Sequence, residues 1–473
     1  MSKNKVSTFC NDVLGKLDAT AIAEGIAKGD FTAQEATEAA IKRAESASLS
    51  LGAVAFEMYE NAKATASQKR TGALSGVPTF IKDNEDIAGT PKQIGTLAFK
   101  SKLSKRNSKF VDQYLSTGMN VLGKTTLPEF GLICSTENPK WAITRNPWHT
   151  DYTPGGSSSG SAAMVASGVV PIAHANDGAG STRIPASCCG LVGLKPSRNR
   201  LVNFEGSEIL PINIGYQGVV TRSVRDTALF YAEAEKHFAS SELPKMGHIT
   251  SPLKKRLKFV FFENISADKL GFVDLETQKA MMDTADLLSS LGHIVEQKPF
   301  PIDVDNLSMH FLNYYGLVAY SFKNLGRYMF NAKVDKSQLE PFTVGLSKQF
   351  RQNLFSIPKS LKALKTAGQV IDNYFNDYDI IMSPVMAHTV PKIGHFSVDL
   401  DYAEVSKRAV GFAPFTGIQN ITGAPAISLP LSMSSDGLPL GIQFSSALGQ
   451  DALLLELAYE LEQAKPWSFL YDS

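Results

Sequence analysis

Residues 153–163, TPGGSSSGSAA, place four serines and three glycines in eleven positions. Hydroxyls in a glycine-rich loop suit a nucleophile, a phosphate cradle or a linker. Gly156-Ser157-Ser158-Ser159-Gly160 meets the G-x-S-x-G pattern of a nucleophile elbow and nominates Ser158. That elbow needs a strand just before it, whereas the preceding TRNPWHTDYTP is polar and broken by prolines. A phosphate loop would carry Lys-Ser or Lys-Thr after its glycines, and neither follows here. Apolar segments continue on both sides, which argues against a linker.

A better nucleophile lies downstream. VVPIAHAND reads as a buried strand that runs into Gly178-Ala179-Gly180-Ser181-Thr182-Arg183-Ile184-Pro185. Ser181 therefore sits on a glycine-rich turn after a strand. Small residues there let backbone N–H groups point into one concavity, as a tetrahedral oxyanion requires. The eight histidines offer no convincing base: His149 lies in a loop, and His174, inside an apolar strand, reads as a hydrogen-bonded core residue. Lys82 ends the apolar run Val77–Ile81, where desolvation could leave its amine neutral and basic. A solvated strand-end lysine is the commoner case. A rival class keeps Ser158 as an esterase nucleophile, served by His248, His293, His310, His388 or His395.

These residues need elements to hold them. DATAIAEGIAKGDFTAQEATEAAIKRAESA (18–47) predicts two helices split at Lys28-Gly29-Asp30, with a Thr32–Glu35 capping box opening the second. GVPTFIKDN, MNVLGKTTLPEFG and VVPIAHANDGAGS predict buried strands that end in polar loops. Glu129 and Phe130, after the strand 119–123, are candidate pocket residues, with a structural Pro-Glu-Phe turn as the alternative. Ser161 is placed to help start a helix. Residues 274–291 predict a helix capped by Asp274, followed by a strand from His293. Residues 305–375 predict a mainly helical section laid over the sheet. AISLPLSM and PLGIQFSS flank an Asp436-Gly437 hairpin before a closing amphipathic helix.

Composition bounds the partners. Lys and Arg total 47 against 46 Asp and Glu, so no net field draws the chain to nucleic acid or anionic membranes. No run of about 18 apolar residues predicts a membrane helix, and the N-terminus lacks a signal-peptide core. A cytoplasmic enzyme is the expectation. Cys10, Cys134, Cys188 and Cys189 lack metal-ligand spacing, and no disulfide is expected.

Taken together, these segments resemble the amidase signature enzymes. That family carries GGSSGG, then D-x-G/A-G-S-x-R-x-P some twenty residues later, with G-[VI]-P-x-x-x-K-D upstream. Here GVPTFIKD (76–83), GGSSSG (155–160) and DGAGSTRIP (177–185) follow in that order, and NITGAPAISLP (420–430) fits a further family segment, N-x-x-G-x-P-A-x-S-x-P. The resemblance spans nearly the whole chain. It implies a single large α/β domain over residues 1–473, with a central mixed, mostly parallel β-sheet covered by α-helices. By position it implies Ser181 as nucleophile, Ser157 as a bridging serine after a cis peptide bond, and Lys82 as base. Gly178, Ala179 and Gly180 would form the oxyanion hole, with Asp177, Arg183 and Ser158 in support. The implied substrate is a small-molecule amide, with no cofactor and no metal; a homodimer is left open.

Two positions depart from the family pattern. Ser159 replaces a glycine of GGSSGG, and Gly178 stands where a β-branched residue is common, implying a more flexible turn. The S-R-Y-D-G stretch of the glutaminyl-tRNA amidotransferase branch is missing, as is the N-terminal membrane segment of the fatty-acid amide branch. The segments are most similar to the branch of 6-aminohexanoate cyclic-dimer hydrolases. A non-catalytic binding protein on this fold would have lost a catalytic group, and Lys82, Ser157 and Ser181 are all present.

Overall fold

Capping residues set the helix ends in the computed structural model, which describes residues 4–263, 273–330 and 332–472. Helix α1 (Ala19–Lys28) starts at Asp18, which accepts from the Ala21 N–H, and stops at Gly29. Helix α2 (Ala33–Leu51) carries the Thr32–Glu35 capping box. Then come β1 (Val54–Glu57), α3 (Tyr59–Thr65), β2 (Pro78–Lys82), α4 (Lys109–Leu115) and β3 (Asn120–Thr125). A small hairpin, β4 (Glu137–Asn138) and β5 (Ala142–Ile143), precedes α5 (Ser159–Ala166), β6 (Ile172–Asp177), α6 (Arg183–Cys189) and β7 (Val192–Lys195). The chain continues through β8 (Tyr216–Thr221), α7 (Val224–His237) and β9 (Lys258–Glu263). As expected, α8 (Leu275–Ser290) is capped by Asp274 and leads into β10 (Ile294–Pro299). The helical section forms α9 (Val304–Met329), α10 (Pro341–Gln352) and α11 (Ile357–Tyr374). Strand β11 (Ile380–Pro384), α12 (Tyr402–Phe412) and α13 (Gly417–Thr422) precede the Asp-Gly hairpin, β12 (Ala426–Met433) and β13 (Pro439–Ser445), and α14 (Asp451–Ala464).

One eleven-stranded sheet runs through the molecule in the order β1-β3-β2-β6-β8-β7-β12-β13-β11-β9-β10. It is mixed. Parallel pairing joins β3, β2 and β6 in one block and β11, β9 and β10 in another, and the strands between are antiparallel. Strands β2, β3 and β6 are buried along their whole length, as central strands covered on both faces are. Because one sheet carries every long strand and helices flank it, the chain is a single α/β domain.

The helical section packs through apolar clusters of its own. Tyr314, Leu364 and Ile371 join Val260 and Ile381 of the sheet. Phe322 and Phe330 meet Phe99 and Phe130 in an aromatic group. No helix among the described residues is long and apolar enough to cross a membrane. All four cysteines are free thiols.

Candidate active site

Lys82 ends β2 and Asp177 ends β6. The two strands are parallel neighbours in register at Thr79↔Ile172 and Phe80↔Ala173, so both side chains emerge at one end of the sheet. That end, beyond the carboxyl termini of parallel strands, is where open α/β sheets form their sites. The loop 153–158 crosses it on the way into α5. A Cβ at Gly156 would lie 2.8 Å from the Cys134 carbonyl carbon and 2.9 Å from the Ser135 nitrogen, so only glycine lets the loop pass this close. The Gly156–Ser157 peptide bond is cis.

The structure brings Lys82 and Ser157 together. Lys82 is fully buried, and its Nζ lies 2.7 Å from Ser157 Oγ, 2.7 Å from Asn176 Oδ1 and 3.1 Å from Ser158 Oγ. Each of these partners is uncharged. Burial pushes the amine well below its usual 10.5, opposed by the more distant charges of Asp177 and Glu85. Ser158 also donates to the Asn176 carbonyl and accepts from the Asn176 N–H, both at 3.3 Å. Among the described residues, no histidine is among its hydrogen-bond partners. Four of the five rival bases lie in other contacts: His293 against Glu460, His310 against Ser360, and His388 beside His395.

His174 is the core residue its apolar strand predicts. Burial drives its pKa down to about 3, so it is neutral. Its Nδ1 accepts the Lys82 backbone N–H at 3.2 Å, which fixes the proton on Nε2, and Nε2 donates to Gln217 Oε1 at 2.9 Å. Gln217 in turn donates to buried Glu85 at 2.7 Å. The chain of bonds anchors the end of β2.

The turn 177–183 is organised by a buried ion pair. Arg183 donates through Nε to Asp177 Oδ2 at 2.9 Å and through Nη2 to Oδ1 at 2.8 Å. Oδ1 also accepts from the Gly180 N–H at 2.7 Å and Asn420 Nδ2 at 2.9 Å, and Oδ2 from the Thr182 N–H at 3.2 Å. Burial alone would raise the Asp177 pKa, but Arg183 and these donors lower it to about 2. Ser181 sits on the resulting turn at 9% exposure, and its carbonyl accepts the Ser158 N–H at 3.4 Å, tying the two serine loops together.

Several expectations change. The Gly180 N–H donates to Asp177 Oδ1, so that bond competes with the oxyanion role expected of it. Gly180 is required for another reason: its φ is +119° and a Cβ would strike Thr416. Gly178 needs no such allowance, since a Cβ there would meet nothing within 4 Å. Ser159 is absorbed by packing, donating to the Gly155 carbonyl at 2.7 Å and accepting from Thr136 at 2.9 Å. Ser161 does not cap α5; it donates to the His174 carbonyl and pairs with Thr125. Glu129 and Phe130 are structural: Glu129 accepts from Thr96 and the Glu340 N–H, and Phe130 stacks in the aromatic group.

Other residues were missed. Asn176 touches Lys82, and the adjacent Asp177 was the only signal for it. Asn420 donates to the Asp177 carbonyl and carboxylate and to the Ile214 carbonyl, each at 2.9 Å, and accepts from Arg183. Thr416 holds the Ala179 carbonyl at 2.6 Å.

Ser181, Ala179 and Gly156 lie in the wall of a cavity. Further lining comes from α9 (Leu307, Phe311, Tyr315) and from positions 409–421 in α12, α13 and the stretch between them. Residues 131–134, Ile184 and Phe342 also line it.

With this geometry in place, comparison with known proteins is direct. The family model described as Amidase matches residues 35–455. "Putative amidase AmiC" of Mycobacterium leprae is 44% identical over 464 residues, covering 98% of both chains. The 6-aminohexanoate-cyclic-dimer hydrolase of Paenarthrobacter ureafaciens is 31% identical over 488 residues, covering 95% of each. A solved 6-aminohexanoate cyclic dimer hydrolase, complexed with substrate, superposes with a TM-score of 0.84 at 27% identity, covering 95% of this chain and 97% of that one. The parallel-strand ends, the serine loops and the full-length match agree, and the chain belongs to the amidase signature family of amide hydrolases.

Proposed function

We propose that the chain hydrolyses a linear or cyclic carboxamide through an acyl-enzyme on Ser181, with protons relayed by Ser157 to Lys82. The observation that carries this reading is the buried Lys82 amine, 2.7 Å from Ser157 Oγ and bonded otherwise to the uncharged Asn176 and Ser158. A neutral amine has two N–H donors and one lone pair. Asn176 Oδ1 can only accept, and Ser158 already spends its proton on the Asn176 carbonyl, so both take N–H bonds from Lys82. The lone pair is left for the Ser157 hydroxyl.

Lys82 takes the Ser157 proton as Ser157 takes that of Ser181, and Ser181 Oγ bonds to the amide carbon. The carbonyl oxygen becomes an oxyanion, received by the N–H groups of Gly178 and Ala179. Collapse breaks the C–N bond, and the relay returns its proton to the leaving amine. Water then attacks the ester by the same route and frees the acid. Asp177, Arg183 and Asn420 keep the turn in shape. The cyclic-dimer hydrolases support a neutral cyclic amide as one candidate substrate. Ser181→Ala is expected to abolish turnover of a chromogenic anilide with an unchanged circular dichroism spectrum; retained turnover would refute the assignment.

A further inference from the structure

Among the described residues, the lining of the cavity beside Ser181 holds no Asp, Glu, Lys, Arg or His. Its polar side chains are few, and Tyr315, the largest, donates its hydroxyl to the Gly131 carbonyl at 3.4 Å. The Phe311 and Tyr315 rings, one helical turn apart on α9, stack with centroids 5.6 Å apart and planes 21° apart. Ile418 and Ile421 of α13 are also in the lining. Charged side chains occur instead in the adjoining surface groove between α9 and α12, where Asp305 and Lys407 stand and which shares Ser308, Leu312 and Val410 with the cavity.

We propose that the enzyme selects uncharged carboxamides whose group on one side of the scissile bond is apolar and large enough to meet Phe311 and Tyr315, and that it refuses charge there. The proposal rests on Ser181 being the nucleophile. An ammonium or carboxylate carried inside loses its hydration and finds no counter-charge, whereas methylenes and rings gain by leaving water. Each added methylene that reaches the wall is expected to raise kcat/KM several-fold.

Two matched series test this. On the acyl side, hexananilide is compared with 6-aminohexananilide and adipic acid monoanilide; on the amine side, acetanilide with 4-aminomethylacetanilide and 4-acetamidobenzoate. In at least one series the neutral member is expected to exceed both charged members by about 100-fold in kcat/KM. Members that turn over too slowly are ranked by how well they slow fluorophosphonate labelling of Ser181. Charged members within about three-fold of the neutral one in both series would overturn the proposal.

A reciprocal variant adds a second reading. Leu307 is part-buried in the first turn of α9, where an acidic residue suits the helix dipole, so Leu307→Asp introduces a carboxylate with little threat to the fold. It is expected to improve the ammonium member relative to the neutral one by about tenfold and to leave the carboxylate member refused. An equal fall for all three would also overturn the proposal. Ser181→Ala separates the two claims. If that variant still hydrolyses the anilides, the nucleophile assignment fails; if it is inactive while charge makes no difference, the pocket proposal alone fails.

Discussion

Asn176→Asp alters one charge at the centre of the proposed relay. Asn176 is buried, its Oδ1 lies 2.7 Å from Lys82 Nζ, and its Nδ2 makes no hydrogen bond among the described residues. The exchange therefore keeps size and the accepted bond, and forfeits no donated one. What it adds is a negative charge in contact with an amine now surrounded by neutral groups. An opposite charge at this range raises a pKa by about 1 to 3 units. On the acidic limb the neutral fraction of Lys82, and with it kcat/KM, falls by about 10- to 1000-fold. The assay is kcat/KM for an anilide from about pH 6 to pH 10 in wild type and variant. The variant's rising limb is expected to move to higher pH and its rate to recover there. A loss of equal size at every pH, or an unmoved limb, would refute the reasoning that a neutral Lys82 is the base.

The remaining predictions concern the same groups. In wild type, kcat/KM is expected to rise with pH at an apparent pKa well below 10.5, the direction in which burial moves Lys82; a rise only near 10.5 would contradict it. Because the unfolded chain protonates Lys82 and the folded one does not, this residue's contribution to stability also rises with pH between the lowered value and 10.5, a slope that denaturation at several pH values and a Lys82→Met comparison would read. Asp177→Asn turns an amide NH₂ toward donors of Arg183 and leaves that guanidinium buried without its charge partner, so a loss of about 3–5 kcal/mol in urea unfolding is expected. The Asp177 pKa is depressed to about 2, so its contribution is complete above its ordinary 3.8 and lost as pH falls through about 2. The gap between wild type and variant should then stay level from about pH 5 to pH 8, and a gap growing with pH in that window would contradict the pairing.

Local chemistry was legible where its partner is near in sequence. The Thr32–Glu35 box, the Asp274 cap and the Asp436-Gly437 turn all act within a few residues, and the structure forms each one. Ser181 and Lys82 stand out by their places on a glycine-rich turn and at the end of an apolar run, whereas a role for Ser157 comes only from the family resemblance. The sequence separation says nothing of the parallel pairing of β2 with β6 that brings Lys82 beside Asn176, nor of the loop that carries Ser157 to Lys82. The hydroxyl of Ser161 bonds to β6, a strand that is legible in the sequence while its packing against α5 is not. Asn420 escaped a role because its partners Asp177 and Ile214 are more than 200 residues away. The pocket was least legible, since its apolar wall is assembled from α9 and from α12 and α13, whose residues read as ordinary core positions in the chain.

The central claim is that Ser181 attacks the amide, and covalent trapping tests it most directly. Purified protein treated with a fluorophosphonate and digested for peptide mass mapping is expected to carry one adduct, on Ser181, formed faster as pH rises and suppressed in Lys82→Ala. An adduct on Ser158, or none on a protein that still hydrolyses amides, would contradict the account.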